Sequence, residues 1–134
     1  YKKLTDTCRL LQTRPVTFLA TNPDLVCPVP FGYVPDCGSI CQMITNATGQ
    51  VPHYIGKPST DMVDIALREN PFTKEETVIV GDRFYTDIAC GNASGVETVL
   101  VLTGEAKKTD TMIHTYSPTY IFDSIKEVKK AWKN

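Results

Sequence analysis

The 134-residue sequence lacks the features that mark several classes of protein. Its five cysteines include no C-x-x-C pair, and no histidine or cysteine lies where it would complete a zinc site with Cys37 and Cys41. No apolar run approaches the roughly 20 residues that a membrane span needs. The formal net charge is -1, so no basic surface for nucleic acid or a membrane is expected. We therefore expect a cytoplasmic protein with reduced thiols that binds neither nucleic acid nor membranes.

Apolar runs alternate with helical patterns along the chain. Strands are predicted at residues 16–20, 51–55, 77–80, 98–102 and 120–122. Helices are predicted at residues 2–12, 38–44, 60–69, 86–93 and from 124 onward. The stretches 23–38 and 103–116 are predicted to be loops. This alternation predicts βαβ units and a parallel sheet, in which the wholly apolar runs 77–80 and 98–102 are buried on both faces.

Two of the predicted helices have an apolar face that should turn inward. Ser59 can cap the first of them and Ser124 the second. The predicted inner faces carry Met62, Ile65 and Ala66 in the first helix, and Ile125, Val128 and Trp132 in the second. The chain also begins at Tyr1 inside a helical pattern, so we expect it to be a piece of a longer protein.

Two carboxylates follow the apolar run in TVIVGDRFYTDI, residues 77–88. Ligands of an open parallel sheet bind beyond the carboxyl ends of its strands, so Asp82 lies where a ligand is expected. Gly81 lets the backbone approach that ligand. A carboxylate also suits Mg²⁺, which is bound by one or two carboxylates with water and phosphate. Asp87 has a second interpretation, in which it only stabilises the N-terminus of the next helix.

A lysine follows the preceding predicted strand in GKPS, residues 56–59. One crossover separates Lys57 from Asp82, so both can lie at the same edge of the sheet. A lysine beside carboxylates indicates a site that holds a metal and an anion together. Considered alone, Lys57 is more typical of an exposed side chain at a helix entrance, and its pairing with Asp82 is what favours a binding role.

Five segments, taken in order, resemble one family of enzymes. GKPS and VGDRFYTDI (80–88) are similar to the third and fourth motifs of the haloacid-dehalogenase-like (HAD) phosphatases, in particular the NagD or p-nitrophenylphosphatase branch. TNPD (21–24) and PDCG (35–38) resemble the segment that precedes the lysine in that branch. GVETVLVLTG (95–104) resembles its next strand. The resemblance extends over nearly the whole chain.

The resemblance implies a fold and a domain organisation. The fold would be α/β: an incomplete HAD-like, Rossmann-type parallel sheet in three αβα layers, with the second half of a C2-type α/β cap. Residues 1–53 would be the C-terminal part of the cap, and residues 54–134 the C-terminal part of the core. Such a cap covers the site and selects substrates, and two copies of the protein could pair through it.

The resemblance also implies a Mg²⁺-dependent phosphomonoester hydrolase that works through an aspartyl-phosphate. Asp82 would bind Mg²⁺. Lys57 would neutralise the charges of nucleophile and phosphate, and Asp87 would orient the lysine or a metal-bound water. Asn22 and Asp24 would belong to the cap and would contact a small phosphorylated metabolite. Sugar phosphates, nucleotides and other phosphoesters all fit this description.

Two motifs of that family are absent from the sequence. One is the Asp-x-Asp pair followed by Gly-Thr, which supplies the nucleophile, and the other is a Ser or Thr after an apolar strand upstream of the cap. The pair Asp61 and Asp64 falls in a predicted helix and is typical of a solvated face. We therefore expect this segment alone to be inactive and to need the missing N-terminal segment of the same protein.

Two alternatives to an enzyme stay open. One is a binding or regulatory α/β module that holds phosphate or metal without catalysis. The other is a receiver-like domain that accepts a phosphoryl group on Asp82.

Overall fold

A computed structural model describes residues 1–132 of the protein. The chain divides into two compact units, residues 1–56 and residues 57–134. We call them unit 1 and unit 2. The division falls after Gly56, close to the expected boundary after residue 53. The assignment of these units to a cap and a core stays a prediction.

Unit 1 combines two helices with two small sheets. Its elements are α1 (Lys2–Thr13), β1 (Leu19–Ala20), β2 (Val26–Val29), β3 (Gly32–Pro35), α2 (Cys37–Thr48) and β4 (His53–Tyr54). Strands β1 and β4 are parallel, with Leu19 opposite His53. Strands β2 and β3 form an antiparallel hairpin, with Val26 opposite Pro35. Each sheet of this unit thus has two strands.

Three predictions for unit 1 need correction. The loop predicted at 23–38 contains the hairpin, because both of its strands are edge strands and a proline is tolerated where the N–H side of an edge strand has no partner strand. The strand predicted at 16–20 is only two residues long, since β4 offers only two partners. Helix α2 runs past Asn46 to Thr48. It ends at Gly49, whose φ of 73° is the left-handed conformation that glycine adopts most readily.

Unit 2 is built around a parallel sheet of three strands in the order β5–β6–β7. Its elements are α3 (Asp61–Glu69), β5 (Val78–Gly81), a π-helical turn (Phe84–Ile88), α4 (Ala89–Ser94), β6 (Glu97–Val101), α5 (Met112–Tyr116), β7 (Tyr120–Phe122) and α6 (Ile125–Ala131). Val80 pairs with Val99 across β5 and β6, and Leu100 with Ile121 across β6 and β7.

The core of unit 2 lies on both faces of strand β6. Val99 and Val101 pack against Val128 of α6 on one face. Leu100 packs on the other face in a cluster with Phe84 and Ile88. Successive side chains of a strand point to opposite faces. Helix α6 therefore covers one face of β6, and the π-helical turn covers the other. The predicted α/β fold with a parallel sheet is confirmed.

The burial predictions for strands and helices in unit 2 hold only in part. Strand β6 is buried as predicted, but β5 is an edge strand among the described residues, and Val80 is 40% exposed. In α3 the buried residue is Val63, whereas Met62, Ile65 and Ala66, predicted to face inward, are exposed. Met62 and Val80 line a groove beside the outer edge of β5, with which no strand within residues 57–132 pairs.

The end of the chain requires similar corrections. In α6 the buried residue is Val128, while Ile125 and Trp132 are exposed. The predicted loop 103–116 contains the short helix α5. Within residues 1–132, no helix combines the length and the apolar composition that crossing a membrane requires.

Candidate active site

The candidate site begins where strand β5 ends. The strand finishes at Gly81, Asp82 follows, and the chain then turns directly into the π-helical turn Phe84–Ile88. The N–H groups of Asp87 and Ile88 both donate to the Arg83 carbonyl, at 3.1 and 3.2 Å. The sequence predicts a helix from about residue 86, so the earlier start is a correction. Single π-helical turns are rare and are frequently found at functional sites.

The turn places Asp87 beside Lys57. Lys57 Nζ donates to Asp87 Oδ1 at 2.5 Å. The other carboxylate oxygen, Oδ2, accepts the Arg83 N–H at 3.1 Å. The carboxylate is 7% exposed whereas the lysine side chain is 47% exposed. A buried carboxylate needs partners for its charge, so the ion pair holds the ammonium at the sheet end while leaving it accessible.

Gly81 allows this arrangement because it has no side chain. A Cβ at Gly81 would overlap the Cβ and carboxylate of Asp87. The end of the strand and Asp87 can therefore approach closely only when residue 81 is glycine. The sequence predicted that Gly81 would allow the backbone to approach a ligand. What Gly81 accommodates in the structure is the side chain of Asp87.

Asp82 is held by the loop that follows β6. Its Oδ2 accepts the Glu105 N–H at 2.7 Å, and its backbone carbonyl accepts the Ala106 N–H at 3.0 Å. A Cβ at Gly104 would overlap the Asp82 carboxylate. The other carboxylate oxygen, Oδ1, accepts no hydrogen bond from any residue that the structure describes. One oxygen thus fixes the side chain, and the other is available to a ligand.

The loop residues that hold Asp82 were missed in the sequence. Arg83 Nε pairs with Glu105 Oε2 at 3.0 Å, and the Tyr85 hydroxyl donates to the same oxygen at 3.0 Å. Glu105 binds Asp82 through its backbone N–H, so the identity of the Glu105 side chain does not predict this role. Gly104, a glycine just beyond a buried strand, was the available signal.

The two predicted substrate residues lie in unit 1, in the segment between β1 and β2. Asn22 Oδ1 accepts the Asp24 N–H at 3.0 Å, an Asx turn that shapes the segment. The Asp24 carbonyl accepts the Gly38 N–H at 2.8 Å and so joins the segment to α2. Both side chains are partly buried. Their role towards a substrate stays a prediction.

The donor set at the end of β5 fits Mg²⁺ in a restricted sense. Within residues 1–132, no three His, Cys, Asp or Glu side chains cluster as a ready-made metal site. Mg²⁺ does not require such a cluster, because it keeps several waters and commonly uses one or two carboxylates together with substrate phosphate. The available oxygen of Asp82 meets that requirement.

Comparison with known proteins decides the family. The HAD-hydrolase-like family model matches residues 54–128, more than half of the chain. This chain belongs to the HAD-like hydrolases. The membership confirms the resemblance stated above and places the lysine–aspartate pair and Asp82 inside the matched region.

The curated relatives of this HAD-like chain are phosphatases. It is 39% identical over 115 residues to a dihydroxyacetone phosphatase of Corynebacterium glutamicum, covering 86% of this chain and 42% of that protein. It is 40% identical over 111 residues to the ribonucleotide monophosphatase NagD of Escherichia coli K12, covering 83% and 43% respectively. The chain thus spans about two fifths of the length of these relatives.

Solved structures of HAD-like relatives share the fold. A p-nitrophenyl phosphatase from Archaeoglobus fulgidus superimposes with a TM-score of 0.86 at 34% identity, covering 98% of this chain and 52% of that one. A 4-nitrophenylphosphatase from Thermotoga maritima gives a TM-score of 0.85 at 37% identity, covering 97% and 50%. The predicted NagD or p-nitrophenylphosphatase branch is therefore confirmed.

Proposed function

We propose that the complete protein to which this chain belongs is a Mg²⁺-dependent phosphomonoester hydrolase. One observation carries the proposal: a buried aspartate holds an accessible lysine at the end of β5, next to a carboxylate with an available oxygen. Phosphoryl transfer needs positioning and charge stabilisation more than covalent chemistry from the protein. A fixed cation beside a fixed carboxylate supplies both.

Lys57 is the residue proposed to bind the phosphoryl group. An ammonium has three N–H donors. One of them donates to Asp87, and two are left for the oxygens of a substrate phosphate and an attacking carboxylate. Asp87 is the positioning residue, because its second oxygen is fixed by the Arg83 N–H.

Asp82 is the residue proposed to hold Mg²⁺ through its available oxygen. The bound ion would supply charge neutralisation at the phosphoryl oxygens. The Glu105 N–H keeps the carboxylate oriented. Asp82 therefore contributes a rigid ligand, and its own orientation does not depend on the ion.

The nucleophile is proposed to be an aspartate from a segment outside these 134 residues. It would attack phosphorus, form an aspartyl-phosphate and release the alcohol, after which water would regenerate the carboxylate. The open side of β5 is where we propose that this segment adds to the sheet. A groove there is lined by Met62, Val63, Ala66, Val78 and Val80, with Lys57 and Asp87 among its other lining residues.

Unit 1 is proposed to act as the substrate-selecting cap. Asn22 and Asp24 would contact the part of a small phosphorylated metabolite that distinguishes one ester from another.

The β2–β3 hairpin carries Phe31 and Tyr33, which are 83% and 70% exposed. Exposed aromatic side chains of this kind are typical of protein interfaces, so we propose that two copies of the protein pair through the hairpin.

The assignment is tested by assaying p-nitrophenyl phosphate hydrolysis with the complete protein and with residues 1–134 alone. We expect turnover by the complete protein with Mg²⁺, loss of turnover in EDTA, and recovery when Mg²⁺ is restored. The 134-residue chain should give no hydrolysis above buffer. EDTA-resistant turnover would contradict the metal assignment, and turnover by the short chain would contradict the missing nucleophile.

The two non-catalytic alternatives predict different results in the same experiment. A binding or regulatory module predicts that the complete protein also fails to hydrolyse the ester. A receiver-like domain predicts that a small phosphodonor, acetyl phosphate, labels Asp82 in the 134-residue chain itself. Absence of that label, together with turnover by the complete protein, selects the hydrolase.

A further inference from the structure

The loop after β6 lies directly against the proposed metal ligand. Ala106 anchors the loop, because it is 2% exposed and packs against Phe84 and Ile88 of the π-helical turn. The Ala106 N–H donates to the Asp82 carbonyl at 3.0 Å. One residue earlier, the Glu105 N–H donates to Asp82 Oδ2 at 2.7 Å. The orientation of the Asp82 carboxylate therefore depends on where the loop holds Glu105.

The Glu105 side chain is fixed by two residues that follow Asp82 in the chain. Its Oε2 accepts hydrogen bonds from Arg83 Nε and from the Tyr85 hydroxyl, both at 3.0 Å. The Arg83 and Glu105 side chains are 40% and 46% exposed, so these contacts lie at the surface. Exposed ion pairs contribute little to the stability of a fold. The contacts therefore act mainly on the position of the loop.

We propose that Glu105 is a positioning residue that sets the affinity of the site for Mg²⁺. This inference rests on the proposed function, in which Asp82 holds the ion. While Arg83 and Tyr85 hold the Glu105 side chain, the loop stays where its N–H binds Asp82 Oδ2, and Oδ1 is presented to the ion. When the side chain is released, loop positions without that hydrogen bond compete. An ion that binds only the ordered arrangement then loses affinity in proportion to the fraction of molecules that leave it.

The side chain of Glu105 should affect the binding of the ion and not the chemical step. Saturating Mg²⁺ draws the molecules back into the ordered arrangement, so kcat at high Mg²⁺ should stay close to that of the wild type. The Mg²⁺ concentration that gives half-maximal activity should rise by the same factor as the dissociation constant. A residue needed only for the fold would instead lower the free energy of unfolding at every Mg²⁺ concentration.

Urea unfolding of the complete protein over a series of Mg²⁺ concentrations, at constant ionic strength, measures the affinity without a substrate. An ion that binds the folded state raises its free energy of unfolding. Glu105→Ala keeps the backbone N–H and removes both side-chain contacts, so we expect the Mg²⁺ dissociation constant to rise roughly 3- to 10-fold. Tyr85→Phe removes only the hydroxyl and should give a smaller rise. Glu127→Ala removes an equal charge and an exposed ion pair with Lys130 on α6, and this control should bind Mg²⁺ as the wild type does.

Asp82→Asn separates a failure of this inference from a failure of the proposed function. It should abolish the stabilisation by Mg²⁺ whatever the role of Glu105. If Asp82→Asn loses the stabilisation while Glu105→Ala binds Mg²⁺ as tightly as the wild type, the role of Glu105 is overturned and that of Asp82 stands. If Mg²⁺ stabilises Asp82→Asn as much as the wild type, the metal assignment fails and this inference fails with it. A loss of kcat in Glu105→Ala at saturating Mg²⁺ would also overturn the positioning role.

Discussion

At the level of single residues, the site depends on how Asp87 uses its two oxygens. One oxygen binds the ammonium of Lys57 and the other binds a backbone N–H, so the carboxylate cannot rotate without losing a partner. A buried charge without partners is strongly unfavourable. This aspartate holds both the lysine and the backbone N–H at the N-cap of the π-helical turn, so both interpretations of Asp87 stay open and its part in catalysis stays a proposal.

Replacing the lysine tests its role most simply. In the complete protein, Lys57→Met keeps the length of the side chain and removes the charge. We expect kcat/KM for p-nitrophenyl phosphate to fall roughly 10²- to 10³-fold, since loss of one oriented donor to a developing charge typically has that effect. Lys129→Met, on the exposed side of α6, is the matched control and should keep wild-type activity. Equal activity of the two variants would rule out the assignment.

The buried thiol of Cys90 gives a prediction about alkaline pH. It is 1% exposed and donates to the Ser59 carbonyl at 3.1 Å. Burial raises the pKa of Cys90 above its ordinary 9.0. Above pH 9.0 the unfolded chain loses this proton while the folded protein keeps it. The free energy of unfolding should therefore decrease as the pH rises from 9.0 towards the raised pKa.

Urea unfolding of the complete protein at a series of pH values measures this decrease. Cys90→Ser removes the titrating thiol and should make the alkaline decrease shallower. Cys27→Ser removes a thiol that is exposed in the folded protein, and it should leave the slope unchanged. An identical slope in wild type and Cys90→Ser would contradict the prediction.

At the level of elements, the sequence predicted the strands and helices better than their exposed faces. The sequence runs 77–80 and 98–102 are apolar and short, and the structure has strands β5 and β6 there. The π-helical turn was not predicted, and the Lys57–Asp87 ion pair made there joins residues 30 positions apart, a contact that local sequence patterns do not reveal. The β2–β3 hairpin was missed because prolines at strand edges resemble loop residues in the sequence.

The junction between β5 and the π-helical turn should tolerate no side chain at residue 81. Gly81→Ala places a Cβ against Asp87, and overpacking of this kind typically costs about 1–3 kcal/mol. Gly49→Ala is the matched control. Its Cβ would meet nothing within 4 Å, so only the left-handed backbone is penalised, by roughly 1 kcal/mol.

Urea unfolding of the complete protein compares the two glycine variants, and phosphatase assays follow the site. Gly81→Ala should be less stable and should also lose activity, because the overlap moves the residue that positions Lys57. Gly49→Ala should keep its activity. If Gly81→Ala were as stable and as active as the wild type, the close approach of Gly81 to Asp87 would be unnecessary for stability and activity.

At the level of the whole molecule, the open side of β5 explains several failed burial predictions together. Met62, Ala66 and Val80 line an apolar groove there. Large exposed apolar areas are unusual in a free-standing protein. The sequence contains the apolar residues that a further strand would bury, and no strand within residues 1–132 pairs with the outer edge of β5. In the function proposed above, the segment that carries the nucleophile would supply this strand.

The isolated 134-residue chain should therefore be only marginally stable. Heating or urea should give a broad transition rather than the sharp cooperative one of a complete domain. Circular dichroism followed against temperature, with the complete protein as the control, measures the difference. A sharp transition of the 134-residue chain by itself would mean that unit 2 needs no further strand.

The central claim is that Asp82 is the metal ligand of a phosphatase site, and Asp82→Asn in the complete protein tests it most directly. The amide keeps the oxygen that the Glu105 N–H binds but removes the negative charge that Mg²⁺ requires. Asp64→Asn, on the exposed surface of α3, is the control. We predict that Asp82→Asn abolishes Mg²⁺-dependent hydrolysis of p-nitrophenyl phosphate while Asp64→Asn retains it. Full activity of Asp82→Asn would contradict the account.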